Sequence, residues 1–317
     1  MENYSRILNK LSDEEFIKLR LILTSTLDNS IGTIINLEKL EADYINFAQS
    51  RVSASYLRSI RISFNHLLKY FSPNKLISQI DLKEIEQFII YLSKNAPKGY
   101  KVYFRNLKAA FNKAISWGYL KHNHFSKIKI TKTQKTFPII ISEDNLTEIL
   151  KQIRKSTIKD MILLAYGTGL RINEIVQLTW SSVKLDERII IVGSSDFTTK
   201  NREQRKIPIN DFIFSIFSKY LRKVTSIKRK YIFIKSTGVI YSTDYVSKTF
   251  KKACRRAGLS EDIHFHTLRH TFASKLVQRG VSLYVVKELM GHSSIKTTEI
   301  YSHLDMQTLR EAVEKLN

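Results

Sequence analysis

The sequence predicts a mainly α-helical chain of two domains with one small β-sheet. Apolar residues recur at helical spacing through most of its 317 residues. Strand character is confined to short runs: Arg188 to Val192 and Arg205 to Ile209 as one hairpin, and Tyr231 to Ile234 as a third strand. Between the halves, Lys127 to Pro138 is rich in Lys and Thr, lacks a helical period and ends in proline, so it reads as an extended linker. Length points the same way, since domains usually hold about 100–200 residues. A hydrophobic content of 43% supplies two cores.

The elements follow in order. Ser12 and Glu15 form a capping box for an opening helix. Tyr56, Ile60, Phe64, Leu67 and Phe71 share one helical face, with Arg58, Arg61 and Lys69 opposite. Asp81 and Glu84 form a second capping box ahead of Leu82, Ile85, Phe88, Ile89 and Leu92. From Lys101 to Trp117, Tyr103, Leu107, Ala110, Phe111 and Ala114 form a core face. Lys101, Arg105, Lys108 and Asn112 form another, suited to a phosphate backbone or a groove. Beyond the linker, Ser142 caps a helix, Ser242 caps another through Cys254, and Gly280 stops the helix begun near His266. Leu309, Ala312, Val313 and Leu316 give the last segment an amphipathic helical stripe.

Charge narrows the partner. Lys and Arg number 52 against 29 Asp and Glu, a formal charge of +23. Residues 31–140 hold 18 basic against 6 acidic side chains and residues 141–317 hold 30 against 18, while residues 1–30 hold 4 against 5. A single charge run is ordinarily a solvated face. Here no acidic residue stands between Glu86 and Glu143, where eleven lysines and arginines do. Two basic halves fit two domains gripping one duplex from opposite sides. The longest apolar runs, such as Met161 to Ala165, are far too short to span a bilayer. Asp13, Glu14 and Glu15 ahead of Leu21-Ile22-Leu23 do not make a secretory signal. The lone Cys254 permits no internal disulfide and no cysteine-cluster metal site, so a soluble protein of the reducing cytoplasm is expected.

Three clusters carry the chemistry. They are Thr168-Gly169-Leu170-Arg171-Ile172-Asn173-Glu174-Ile175, then His266-Thr267-Leu268-Arg269-His270-Thr271, then Gly291-His292 with Tyr301 nine residues after the histidine. Singly, each has an ordinary reading: any one of 15 tyrosines is more often core or surface, and His266 with His270, one helical turn apart, could face a metal. Arg269 between them and the lack of an HExxH pattern argue against a metal. Gly167-Thr168-Gly169 lacks the lysine and spacing of a nucleotide-binding P-loop. In their joint order, with a lysine-bearing hairpin between the first two, the clusters resemble the tyrosine recombinases, the Xer and phage-integrase family. Members cut and rejoin DNA through a phosphotyrosine.

The resemblance implies a C-shaped clamp, with residues 1–30 an N-terminal extension, 31–127 a helical core-binding (SAM-like) domain, 128–138 a linker and 139–317 the catalytic domain. It implies Tyr301 as nucleophile, His266 assisting proton transfer at the tyrosine, and His292 donating a hydrogen bond to a phosphoryl oxygen. Arg171 and Arg269 suit the charge on the phosphate, because guanidinium stays ionised and grips two oxygens at once. The resemblance also implies a hairpin lysine that protonates the leaving 5′ oxygen, expected to be Lys200 because its spacing to Arg205 and Pro208 is similar to that of the family hairpin, with Lys206 as the alternative because the loop lacks the usual glycines. Glu174 is expected to be a structural partner for a nearby cation. Lys101, Arg105, Lys108, Arg58 and Arg61 are the candidate DNA contacts of the first domain. The expected partners are double-stranded DNA and a homo- or hetero-tetramer on paired sites, with no membrane, metal, ATP or other cofactor. A type IB topoisomerase shares the chemistry without pairing sites, and a silent DNA-binding protein shares the charge without the chemistry.

Overall fold

Short polar caps and apolar stripes set the first helices, as seen in a computed structural model that describes residues 35–131, 137–193, 204–222, 230–304 and 313–314. By its contacts the chain divides into two units, residues 1–133 and 134–317. The capping box at Ser12 and Glu15, the segment 1–30 and nearly all of the last amphipathic stripe lie outside the described residues.

In the first unit, α1 (Leu37–Gln49) starts where the Asn36 side chain accepts from the Lys39 N–H at 2.8 Å. Ser53 caps α2 (Ala54–Phe71) by accepting from the Tyr56 N–H. The expected capping box opens α3 (Leu82–Asn95): Asp81 accepts from the Glu84 N–H at 2.8 Å, and Glu84 accepts from the Asp81 N–H at 3.1 Å. The fourth helix, α4 (Tyr100–Ser116), has Gly99 at its N-cap and no side-chain cap. Leu37, Leu40, Phe64, Leu67, Phe88, Leu92, Leu107, Phe111 and Phe125 form the closed core.

The stripe on α4 is rotated from the expected one. Phe104 is buried, whereas Tyr103 is half-buried and stacks on His66 at 5.2 Å between centroids. Phe104, Leu107 and Phe111 follow the i, i+3, i+7 pattern, and Tyr103 lies about 100° to their side. Asn106 is buried too, donating to Ser59 Oγ and Ser63 Oγ at 3.0 Å. Of the candidate contacts, Arg58, Arg61 and Arg105 are exposed, while Lys101 and Lys108 are half-buried. Lys101 Nζ is spent on the Thr131 carbonyl at 2.7 Å.

The second unit begins with α5 (Glu143–Lys151), capped by Ser142 as expected. The helices α6 (Ser156–Thr168) and α7 (Ile172–Val176) follow. The sheet then runs β1 (Val183–Lys184), β2 (Ile189–Val192), β3 (Arg205–Pro208), antiparallel in that order, with Val192 opposite Arg205. The expected hairpin is therefore β2–β3, but the third strand is β1. Tyr231 makes only an isolated bridge to Thr179, because the two ladder-like bonds there, Trp180 N–H to Lys230 and Ile232 N–H to Leu178, join it to a loop and a 3₁₀ turn. Four more helices follow among the described residues: α8 (Asp211–Leu221), α9 (Thr243–Arg256), α10 (Phe265–Gln278) and α11 (Leu283–Met290). Ser242 caps α9 as expected, and α10 stops before Gly280 at φ 77°. Ile158, Met161, Ile175, Ile190, Phe217, Phe250 and Leu268 lie in the main core. A smaller cluster of Ala273, Val277, Val286, Met290 and Tyr301 carries the site.

Candidate active site

Two left-handed glycines shape the site. Gly169 ends α6 at φ 66°, and a Cβ there would stand 2.5 Å from Phe272 and 3.2 Å from Met290 Sδ. Gly291 ends α11 at φ 60°, where a Cβ would stand 2.9 Å from the Arg205 side chain. Both positions need glycine twice over, for conformation and for room.

The end of α11 is gripped by three guanidinium groups on three successive carbonyls. Arg205 Nε donates to Leu289 O at 3.0 Å, Arg269 Nη2 to Met290 O, and Arg171 Nη2 to Gly291 O at 3.3 Å. Arg269 also donates to Gly169 O at 2.5 Å, tying the two glycine turns together. The last carbonyls of a helix lack intrahelical partners and carry its negative dipole end, so cations are favourable there. Glu174 closes the network. Its two oxygens accept from Arg205 at 3.0 and 2.7 Å, and they accept from Arg171 Nη1 at 3.0 Å and from the Arg171 N–H at 2.8 Å. Burial works to raise the Glu174 carboxyl, but the Arg205 hydrogen bonds and charge, aided by Arg171, outweigh it and hold it below the usual carboxylate range. The expectation that Glu174 partners a cation thus takes a specific form, two arginines from separate elements.

Accessibility separates the arginines. Arg269 is 1% exposed, and burial beside Arg171 lowers its proton affinity while leaving it a cation at neutral pH. Arg171 keeps 39% of its side chain open, so it has free N–H groups for an incoming oxyanion. Lys206 sits on the face of β3 opposite Arg205 and is exposed. Lys200 lies outside the described residues.

The histidines surround this cationic floor. His266 lies one turn before Arg269 on α10, its ring edge-on to His270 at 4.8 Å. Desolvation of the ring, then His270, Arg269 and Arg171, pull His266 down to about 4. His292 meets Thr298 Oγ1 through Nδ1 at 2.8 Å, and burial with the neighbouring Arg269 and Arg171 brings it to about 4 as well. Both imidazoles are therefore neutral at pH 7, each with one N–H and one lone pair. Tyr301, in the 3₁₀ segment Glu299–Leu304, is 1% exposed. Its phenol is pushed up to about 12 by burial, against the opposing pull of Arg269. The phenolic oxygen meets His270 Nδ1 at 2.7 Å, and His266 is not its partner.

The structure thus places Arg171, Arg269, His266, His292 and Tyr301 around one end of α10 and α11. Two members of the cluster were not singled out by the sequence. Arg205 stood only as a spacing mark in the hairpin, and His270 only as a discounted metal ligand. Adjacency to Arg269 was the one available signal for His270.

Comparisons with known proteins agree on the kind of chain this is. Residues 140–308 match the phage integrase family, and residues 36–130 match the phage integrase SAM-like domain. The chain is 28% identical over 289 residues to a tyrosine recombinase of Thermosipho africanus, covering 87% of this chain and 97% of the relative. It is 30% identical over 232 residues to tyrosine recombinase XerA of Pyrococcus furiosus, covering 72% of this chain and 79% of the relative. Among solved structures, the Tn1549 transposon integrase in complex with a circular intermediate DNA superposes with a TM-score of 0.74 at 21% identity, covering 89% of this chain and 100% of that one. A lambda integrase tetramer bound to a Holliday junction gives a TM-score of 0.71 at 20% identity, covering 89% and 86%. These likenesses show a shared fold.

Proposed function

Because the chain belongs to the phage integrase family, the tyrosine recombinases, which are DNA strand-transferring enzymes, we propose the following division of labour for its site-specific recombination chemistry. The Tyr301 oxygen attacks a DNA phosphorus, the bond to the 5′ oxygen breaks, and a 3′-phosphotyrosine forms. Reversal by a 5′ hydroxyl rejoins the strand, and the retained ester energy makes ATP unnecessary. The observation that carries this reading is the cationic floor beside a buried tyrosine. Arg171 and Arg269, fixed on successive carbonyls, neutralise charge that develops on the non-bridging oxygens. Neutral His292 donates to a phosphoryl oxygen, and neutral His266 assists proton transfer. Lys200 protonates the leaving oxygen, a choice supported by Lys206 facing away from Arg205. No metal is assigned a role.

The domain reading follows: residues 31–127 bind core DNA, 128–138 link, and 139–317 catalyse, with 1–30 an added segment. Arg58, Arg61 and Arg105, exposed on α2 and α4, are the better phosphate contacts of the first domain, with Lys101 and Lys108 secondary. Duplex DNA is the substrate and a tetramer on paired sites the working assembly, as in the lambda integrase tetramer bound to a Holliday junction. Among the described residues no helix is long and apolar enough to cross a membrane, and the cytoplasm, where DNA is at hand and Cys254 stays a thiol, is the proposed location.

The test is Tyr301→Phe with a nicked duplex carrying the site that the full chain selects from a randomised pool. The variant should bind this duplex normally and form no covalent adduct, and wild-type cleavage should persist in EDTA. An adduct of undiminished yield would remove Tyr301 from the role. Wild-type protein should join two such sites, and relaxation of supercoils without joining would assign a topoisomerase instead.

A further inference from the structure

A phenol pushed up to about 12 does not ionise at neutral pH, so a nucleophilic tyrosine needs a base within hydrogen-bonding reach as it attacks. Among the described residues the hydrogen-bond partner of the Tyr301 phenol is His270, through Nδ1 at 2.7 Å. The groups facing His270 are Tyr301, the edge-on ring of His266 and the Arg269 charge. Burial, then Arg269, lowers His270 below its ordinary 6.5, so at pH 7 it is a neutral imidazole. A neutral imidazole that takes the phenolic hydrogen at Nδ1 carries its own proton on Nε2. His270 is also held by a rigid element, since its neighbours on α10, Arg269 and Thr271, are at most 1% exposed.

We propose that His270 is a catalytic residue of strand cleavage, the base that takes the Tyr301 proton; this rests on the reading of Tyr301 as nucleophile. The phenolic O–H bond breaks and its proton passes to Nδ1, while the oxygen's electron pair forms the bond to phosphorus. The P–O5′ bond breaks with its electron pair on the 5′ oxygen, which is protonated by a separate donor, the hairpin lysine. The imidazolium so formed stands beside Arg269, and the added negative charge of the pentacoordinate phosphorus compensates both cations. On rejoining, Nδ1 returns the proton to the departing phenolate. His266, edge-on to His270 at 4.8 Å, keeps its assisting place beside that proton transfer.

Single-turnover cleavage of the nicked duplex decides this. His270→Asn keeps a polar atom near the Nδ1 position, hence the hydrogen bond, but is no base. It should retain duplex affinity and slow cleavage by about 10²–10⁴ at pH 7. Its rate should climb with pH between about 7 and 9, as the small phenolate fraction grows about tenfold per pH unit, while the wild-type rate stays level because neutral His270 is already the dominant form. His270→Gln carries the same comparison if the Asn variant does not fold. A folded variant with wild-type rate, or slowed with a level pH profile, overturns the proposal and leaves His270 as packing. Loss of adduct in Tyr301→Phe together with such a result would sink the base and spare the nucleophile. A persistent adduct in Tyr301→Phe would sink the nucleophile first.

Discussion

The two units bury different things. Among the described residues of the first unit the buried polar side chains are neutral, Ser63, Asn106 and Asn123, and the bulk of the interior is aromatic and aliphatic. The second unit buries charge: Arg269 at 1%, Glu174 at 4% and Asp160 at 7% exposure, with the Arg205 side chain at 8%. Desolvated charge is costly and persists only where partners satisfy it. The first unit is closed by apolar packing, with Arg58, Arg61 and Arg105 on its exposed surface. The second bears that cost and fixes its guanidinium groups on three successive carbonyls.

The comparison breaks first at Glu174. Glu174→Ala strips Arg205 and Arg171 of their shared carboxylate and should cost about 3–5 kcal/mol of stability, read as a lower denaturant midpoint. Phe88→Ala in the helical core should cost a similar ~3–5 kcal/mol. The Phe88 variant, if saturated with DNA below its unfolding transition, should cleave at the wild-type rate, whereas the Glu174 variant should not. Equal cleavage by both would show that the charge network serves packing alone.

Next in size is the direct loss of an oxyanion partner. Arg171→Ala should bind duplex yet cleave about 10²–10³ more slowly, and near-normal single-turnover cleavage would remove Arg171 from that role. Lys200→Ala should be slow on ordinary DNA and recover when sulfur replaces the bridging 5′ oxygen, a leaving group that needs no proton. Recovery confined to Lys206→Ala would move the assignment to the other lysine.

Acid should act through the same unit. His266 and His292 are depressed to about 4 from an ordinary 6.5, so between these values the unfolded chain binds more protons than the folded one. Their contribution is present in full above pH 6.5 and is lost as pH falls towards 4, with Glu174 adding a loss below its ordinary 4.5. Stability measured from pH 7 to 4 should fall, and less steeply in His292→Asn. An unchanged slope would mean that His292 is not held neutral by the fold. The smallest effect concerns the helical unit: residues 138–317 alone should bind duplex more weakly and with a shallower salt dependence than the whole chain, because fewer phosphates are neutralised. Equal slopes would deny the first unit a share of the phosphate contacts.

What the sequence by itself determined is local or periodic. The capping box at Asp81 and Glu84, the caps at Ser142 and Ser242, the hairpin of β2 and β3 and the order of the three clusters all depend on spacings of a few residues. Such features are written in propensity and hydrogen-bonding valence, so they can be seen in one dimension. Tertiary structure decided the rest. Arg269 reaches Gly169 across 100 residues and Arg171 reaches Gly291 across 120, partners that spacing does not reveal. It also gave the third strand to Val183–Lys184 in place of 231–234, and turned Phe104 into the core in place of Tyr103. Above all it chose His270, not His266, as the neighbour of the Tyr301 phenol. The two histidines differ by one helical turn, and only the packing of Glu299–Leu304 against α10 determines which of them the tyrosine meets.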